Sequence, residues 1–224
     1  MNVWAIVPIK PLSKAKSRLS EVLTPEQREQ LAFNLLARTV RLLLPLPQIQ
    51  GVLVISRDTR ALAMVRSLGA QTVQEGGTPE LNNALLRATQ VLRTRGAGAV
   101  LVVPSDIPLL SGEDIEKMVT LGRYQSSVII APDRREEGTN LLLVRPPGLI
   151  PYRFGLNSFT EHQRLAQEAN ASLAVYQSER AGLDLDTPDD LRWYRSLAQT
   201  LDEPVIDYDK PQEWLLADES HLGQ

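Results

Sequence analysis

V-W-A-I-V-P-I-K-P-L-S-K-A-K-S-R-L, residues 3–19, begins as a run of apolar and β-branched side chains and ends as a run of cations. Val3 to Ile9 has the composition of a strand buried on both faces, as in the middle of a parallel sheet. Directly behind it stand Lys10, Lys14, Lys16 and Arg18. Open α/β sheets bind ligands beyond the C-terminal ends of their strands, so positive charge at this point predicts a phosphate-bearing ligand. Three lysines and an arginine taken alone also fit a solvated loop. The stretch thus selects the fold and poses the functional question: whether this loop holds a nucleoside triphosphate.

Outward from it, Thr24-Pro25-Glu26-Gln27 makes a helix start, with Thr24 as N-cap, Pro25 in the first helical position and Gln27 closing a capping box. Leu31, Leu35, Leu36 and Val40 keep helical spacing to about Leu43, ahead of Pro45 and Pro47. Gly51–Ile55 is a second apolar strand, and a helix starting at Asp58 is closed by Gly69. Gln71–Gln74 is a short strand, Thr78-Pro79 opens a helix to about Arg95, and Ala99–Val103 is a third apolar strand. Alternating strands and helices, with strands continuous rather than patterned, predict a doubly wound α/β fold with helices on both faces of a mostly parallel sheet.

Ser111 and Asp114 form a capping box for a helix to about Leu121. Val128–Ala131 and Asn140–Val144 leave no room for a helix between them, so this pair is expected to run antiparallel, joined by the charged loop 132–139, and to make the sheet mixed. Ser158 and Glu161 read as another capping box, for a helix to Ala169 with His162 as a surface or capping residue. Leu173–Tyr176 reads as a strand, Gly182–Asp186 as extended, and Thr187-Pro188 as the start of a helix through Leu197. Residues 1–202 read as one domain and the aperiodic 203–224 as a C-terminal tail or arm.

Composition narrows the function classes. A formal net charge of −3 argues against broad nucleic-acid binding, which needs a basic face, and makes the local cations conspicuous. There are no cysteines and only two histidines, His162 and His221, which removes thiolate chemistry and polyhistidine metal sites. No signal-peptide pattern or membrane-length apolar run is present, so the expected location is cytoplasmic.

Acidic residues supply the complement to the basic loop. Asp106 follows a buried strand in S-D-I-P-L-L (105–110), where it fits either a turn or a Mg²⁺ ligand. Asp184 and Asp186 alternate in an extended stretch and project to one side, whereas Asp189 and Asp190 suit a first helical turn electrostatically. Thr139, Gly155 and Ser158 supply two hydroxyls and a flexible backbone position beside a helix N-terminus, as an anion site or as ordinary turns and a cap. Neither a P-loop nor a Rossmann fingerprint occurs.

The ordered set P-I-K-P-L-S-K-A-K-S-R-L (8–19), L-N-N-A-L (81–85), S-D-I-P-L-L (105–110), G-T-N-L-L (138–142), F-G-L-N-S-F-T-E-H (154–162) and D-L-D-T-P-D-D-L (184–191) resembles the phosphoenolpyruvate / 2-phospho-L-lactate guanylyltransferases of coenzyme F420 biosynthesis. The resemblance covers roughly Val3 to Leu197 and implies a nucleotide-diphospho-sugar-transferase-like fold. It implies GMP transfer from GTP to a phosphorylated three-carbon acid, phosphoenolpyruvate favoured, with release of pyrophosphate and Mg²⁺ as cofactor. By the same resemblance Pro8, Lys10, Lys14, Lys16 and Arg18 hold the triphosphate and Asn82 faces the nucleoside. Asp106 with Asp186, or Asp184, holds the metal, and Thr139, Gly155 and Ser158 hold the acid. Lys16, Arg18 and Asp106 would carry catalysis. A homodimer and a hand-off of product to the next transferase of the pathway are compatible with it. Glu80, Asn83, Leu156 and Asn157 depart from the smaller residues usual in that family. The competing readings are a molybdenum-cofactor or sugar-phosphate nucleotidyltransferase on the same fold, and a nucleotide-binding regulator without catalysis.

Overall fold

Seven strands form a single sheet, β1 (Val3–Ile9), β2 (Ile49–Ser56), β3 (Gln71–Gln74), β4 (Ala99–Val102), β5 (Ser127–Pro132), β6 (Thr139–Arg145) and β7 (Ser172–Val175), in the spatial order β3-β2-β1-β4-β6-β5-β7. Six helices accompany them: α1 (Pro25–Leu43), α2 (Thr59–Ser67), α3 (Leu81–Thr94), α4 (Gly112–Leu121), α5 (Ser158–Glu168) and α6 (Pro188–Thr200). The computed structural model describes residues 2–77 and 80–210. The strand pairings make six strands point one way and only β6 the other.

β1 lies between β2 and β4, which is why its sequence is apolar throughout. Its side chains alternate: Val3, Ala5 and Val7 pack on the face covered by α1, α2 and α4, while Trp4 and Ile6 pack on the face covered by α3 and α5. Trp4 fixes the identity of its neighbour on β2. A Cβ on Gly51 would stand 2.6 Å from the indole ring, so only glycine fits beneath it.

A third, smaller core lies off the sheet. It joins Leu19, Leu31 and Leu35 to Leu109, Leu183 and Leu185, and closes with Tyr194 of α6 and Ile206. This cluster sits directly behind the basic loop, the Asp106 loop and the Asp184–Asp186 stretch, because each of those segments contributes a leucine to it.

The capping boxes at Thr24/Gln27 and Ser111/Asp114 form as expected, and Thr187/Asp190 makes a third. Several expectations are corrected. Glu80 caps α3, its carboxylate accepting from the Asn82 and Asn83 amides at 2.9 and 2.7 Å; Thr78 and Pro79 lie outside the described residues. The cap of α5 is Asn157, held in the left-handed region at φ 55°, and Ser158 is the first helical residue, so no Ser158/Glu161 box forms. The stretch 182–186 alternates buried Leu183 and Leu185 with less buried Asp184 and Asp186, but pairs with no strand. Residues 203–210, the start of the expected tail or arm, lie against α1 and α6. Asn34 donates to the Asp207 and Lys210 carbonyls at 2.6 and 3.1 Å, and the Ile206 amide donates to the Tyr194 hydroxyl at 2.8 Å. Among the described residues no helix is long and apolar enough to cross a membrane.

Candidate functional site

The basic loop leaves β1 through two single turns of 3-10 helix, Leu12–Lys14 and Ser17–Leu19, anchored by the buried Leu12 and Leu19. The Leu12 amide donates to Asp58 Oδ2 at 2.9 Å, so the residue that caps α2 also ties down this loop. Between the two turns Lys16 adopts φ 54°, ψ 34°, a left-handed conformation that costs a non-glycine residue about 1–2 kcal/mol. That backbone turn sends its side chain inward. Lys16 Nζ donates to Asp106 Oδ2 at 3.3 Å and Asp186 Oδ1 at 3.1 Å, with only 7% of the lysine side chain exposed. Burial opposes its charge, and Asp106 and Asp186 more than offset that, so its pKa stands above the ordinary lysine value. Arg18, largely exposed, reaches Asp186 Oδ2 at 3.7 Å. Lys10 and Lys14 are exposed and Pro8 is half-buried at the end of β1.

Asp106 and Asp186 meet because their backbones do. The Leu185 amide donates to the Asp106 carbonyl at 2.9 Å, and Asp190 of α6 accepts from the Asp186 and Thr187 amides. Asp184 lies in the same neighbourhood; burial, then the charges of Asp106 and Asp186, push its carboxyl up to about 6. Two carboxylates, Asp106 and Asp186, therefore share one buried lysine, with a third, Asp184, close enough to feel their charge. Among the described residues no group of three or more His, Cys, Asp or Glu side chains is arranged to chelate a metal. Two carboxylates directed at one cation, however, match Mg²⁺, which typically takes one or two protein carboxylates and completes its shell with water and phosphate oxygens. The lysine ammonium between Asp106 and Asp186 marks the point where positive charge belongs.

The second half of the site is neutral. Thr139 opens β6, the one strand running against the others, and so lies beyond the last paired residue of β4 at the edge where the parallel strands end. Its amide donates to Ser158 Oγ at 2.9 Å. His162, predicted at the surface, is fully buried. Its Nε2 accepts from the Arg153 amide at 3.1 Å, which leaves the proton on Nδ1 to donate to Thr139 Oγ1 at 3.0 Å. Burial lowers the imidazole pKa to about 4, so the ring is neutral and structural. Both hydroxyls thus already accept one hydrogen bond and retain a proton to donate. The loop above them is held by Asn82: Oδ1 accepts from the Phe154 amide at 2.8 Å and Nδ2 donates to its carbonyl at 3.2 Å. Expected to face the nucleoside, Asn82 has both polar atoms engaged in fixing this loop. Gly155 adopts φ +132°, which disfavours any side chain, and Leu156 beside it is 92% exposed. The α5 N-terminus is partly spent, because the Ser158 and Phe159 amides donate to the Gly155 and Glu137 carbonyls.

The β5–β6 loop joins the halves. Glu137 binds the start of α5, while the Arg134 amide donates to the Gly182 carbonyl at 2.9 Å and its guanidinium reaches Asp190 at 3.7 Å. Sequence reasoning missed His162, Asp58 and Arg134. Only the i+4 spacing of His162 from Ser158 hinted at one of them.

A mixed sheet with a cationic loop after its first strand, opposed by Asp106 after β4 and Asp186 after β7, is the architecture of an α/β nucleotidyltransferase. Solved structures share the fold: a candidate nucleotide-diphospho-sugar transferase from Desulfovibrio desulfuricans G20 superposes with TM-score 0.73 at 18% identity, covering 89% of each chain. A cytidylyltransferase from Leptospira borgpetersenii gives 0.61 at 13% identity over 96% of this chain and 92% of that one. The sequence is more specific. Residues 3–194 match the family described as guanylyl transferase CofC like, and the chain belongs to that family of guanylyltransferases. It is 38% identical to the phosphoenolpyruvate guanylyltransferase of Rubrobacter xylanophilus over 85% of this chain and 92% of that protein. It is 37% identical to the 2-phospho-L-lactate guanylyltransferase of Methanocaldococcus infernus over 83% and 81%.

Proposed function

We propose that this enzyme transfers GMP from GTP to phosphoenolpyruvate with the help of Mg²⁺, and that it serves coenzyme F420 assembly as its family implies. The observation carrying this reading is the convergence of Lys16, Arg18, Asp106 and Asp186 at the strand edge that also presents Thr139 and Ser158. Phosphoenolpyruvate is favoured over 2-phospho-L-lactate because the bacterial relative spanning nearly its whole length with this chain is named for it.

The acceptor phosphate is already ionised near neutral pH, so it attacks without a general base. One of its oxygens forms a bond to the α-phosphorus of GTP, the bond from that phosphorus to the β-bridging oxygen breaks, and pyrophosphate leaves with the electron pair. The protein's work is then alignment and charge neutralisation. That agrees with a site whose single histidine is buried and neutral. Bound between Asp106 and Asp186, Mg²⁺ would neutralise polyphosphate charge. Lys16 and Arg18 would bind the α-phosphate and the departing pyrophosphate; Lys10 and Lys14 would draw the polyanion in. Thr139 and Ser158 would donate hydroxyl protons to the acid, with Gly155 allowing its close approach.

The test is pyrophosphate release from GTP and Mg²⁺, with phosphoenolpyruvate, 2-phospho-L-lactate, 3-phospho-D-glycerate or mannose 1-phosphate offered separately. Release with phosphoenolpyruvate well above the others is expected. Release only with mannose 1-phosphate, or with none of the four, would refute the assignment.

A further inference from the structure

Lys16 stands where the proposed metal would stand. Its ammonium lies 3.3 Å from Asp106 Oδ2 and 3.1 Å from Asp186 Oδ1, the two carboxylates that geometry and resemblance offer to Mg²⁺. Two cations cannot occupy one point between two carboxylates. A metal ion coordinated there at ~2.1 Å from each oxygen would have its full charge within contact distance of the present Nζ. The lysine is no passing surface visitor, since its side chain is only 7% exposed and its backbone is in the left-handed region that aims it inward.

We infer that Lys16 is a resident cation of the nucleotide-free enzyme, which the metal displaces. The displaced ammonium then moves from the carboxylates to the polyphosphate, which needs positive charge at the same moment. The inference rests on the guanylyltransferase reading for the identity of the ligands, and adds an order of events to it. Without nucleotide, metal binding breaks two lysine ion pairs and leaves a buried ammonium unpaired, so the metal binds weakly. With nucleotide, phosphate oxygens receive the lysine and complete the metal's shell, so metal and nucleotide bind together. Positive charge at Lys14, two residues earlier, does not enter this exchange: it is exposed and paired with neither carboxylate.

Mn²⁺ titration of the full-length protein, read by the electron paramagnetic resonance signal of the free ion, tests this. The proteins are wild type, Lys16→Met and Lys14→Met, each with and without a GTP analogue bearing a methylene between its α- and β-phosphorus atoms. Without nucleotide, Lys16→Met is expected to bind Mn²⁺ at least ~10-fold more tightly than wild type. Lys14→Met removes the same charge and should stay within ~2-fold of wild type, because an exposed lysine is screened by solvent. The analogue should tighten Mn²⁺ binding more in wild type than in Lys16→Met. Equal nucleotide-free affinities for wild type and Lys16→Met, equal gains from both lysine variants, or no Mn²⁺ binding by any of the three would overturn the inference.

A second measurement needs no variant. Reductive methylation of Lys16 in wild type, followed by mass spectrometry, should be slower than that of Lys10 and Lys14 and should accelerate as Mn²⁺ alone approaches saturation. A Lys16 rate indifferent to Mn²⁺ would also overturn it. No acceptor acid is present and no turnover is read, so these results stand or fall separately from pyrophosphate release.

Discussion

The two halves of the site hold their residues by opposite means. Around Lys16 the groups are ionic, partly solvated and mutually compensating: one lysine and one arginine against Asp106, Asp184 and Asp186. Around Thr139 they are neutral, buried and hydrogen-bonded in a chain that runs from the Arg153 amide through His162 to Thr139, and from the Thr139 amide to Ser158. Under the proposed function, a triphosphate carrying several charges would be gripped by exchanging ions, and a three-carbon acid offering few atoms would be selected by donors fixed in place beforehand. The first half should therefore respond steeply to charge and metal, the second to shape and single hydrogen bonds.

The largest effect should come from removing a carboxylate. Asp106→Ala is expected to lower kcat by ~10³-fold or more while the melting temperature changes little, because charge stabilisation of a transferring phosphoryl group carries most of the rate. Activity within tenfold of wild type would erase the distinction between the halves on the ionic side.

Next is the pH response of the neutral half. The folded pKa of His162 is about 4, below its ordinary 6.5. Between those values the unfolded chain takes up a proton that the folded chain refuses. Stability is thus complete above the unfolded value and lost as pH falls toward 4, by up to about 3 kcal/mol from this residue. Urea midpoints measured from pH 7.5 to 4 should show that loss in wild type, and a shallower slope in His162→Asn. Equal slopes would mean the imidazole is accessible to protons.

Ser158→Ala deletes one prearranged donor. A hydrogen bond to a charged group is worth about 1.5–3 kcal/mol, so the KM for the acid should rise about 10–100-fold while GTP affinity holds. A matching loss of GTP affinity would show that the two halves are one.

The smallest effect concerns the surplus carboxylate. The Asp184 pKa is raised to about 6, so the folded chain holds a proton that the unfolded chain has released. Its contribution is intact below the unfolded value and disappears as pH rises through the folded one. Asp184→Asn should therefore stabilise the nucleotide-free protein at pH 8 by about 1 kcal/mol, discounted for partial exposure, and not at pH 3.5. A large fall in Mg²⁺-dependent turnover in this variant would place Asp184 beside Asp186 at the metal.

These halves were not equally legible in the sequence. Buried strands announced themselves by unbroken Val, Ile and Leu, and helix starts by cap chemistry such as Thr24 with Gln27, because both signals are local. The reversed pairing of β5 and β6 could be read because no helix fits in the six residues between them; the place of β6 between β4 and β5 could not. The ionic half was visible as charge at strand ends. The neutral half was largely hidden. Nothing near His162 in sequence says that the Arg153 amide and the Thr139 hydroxyl will bury it. Nothing at Asn157 says that a left-handed turn will displace Ser158 from the cap. Residues 203–210 read as an arm because Ile206 is the one buried side chain among them and the Asn34 contacts use backbone carbonyls, which together leave no periodic pattern.

The ion pairs at Lys16 span 90 residues to Asp106 and 170 to Asp186, and the leucine cluster behind them closes on Ile206. Contacts this distant along the chain are among the last to form. During synthesis the basic loop leaves the ribosome 90 residues ahead of Asp106 and 170 ahead of Asp186, so a chain halted between them carries loose cations but no assembled site. The ion cluster at Lys16 cannot close until the segment through Ile206 has been made.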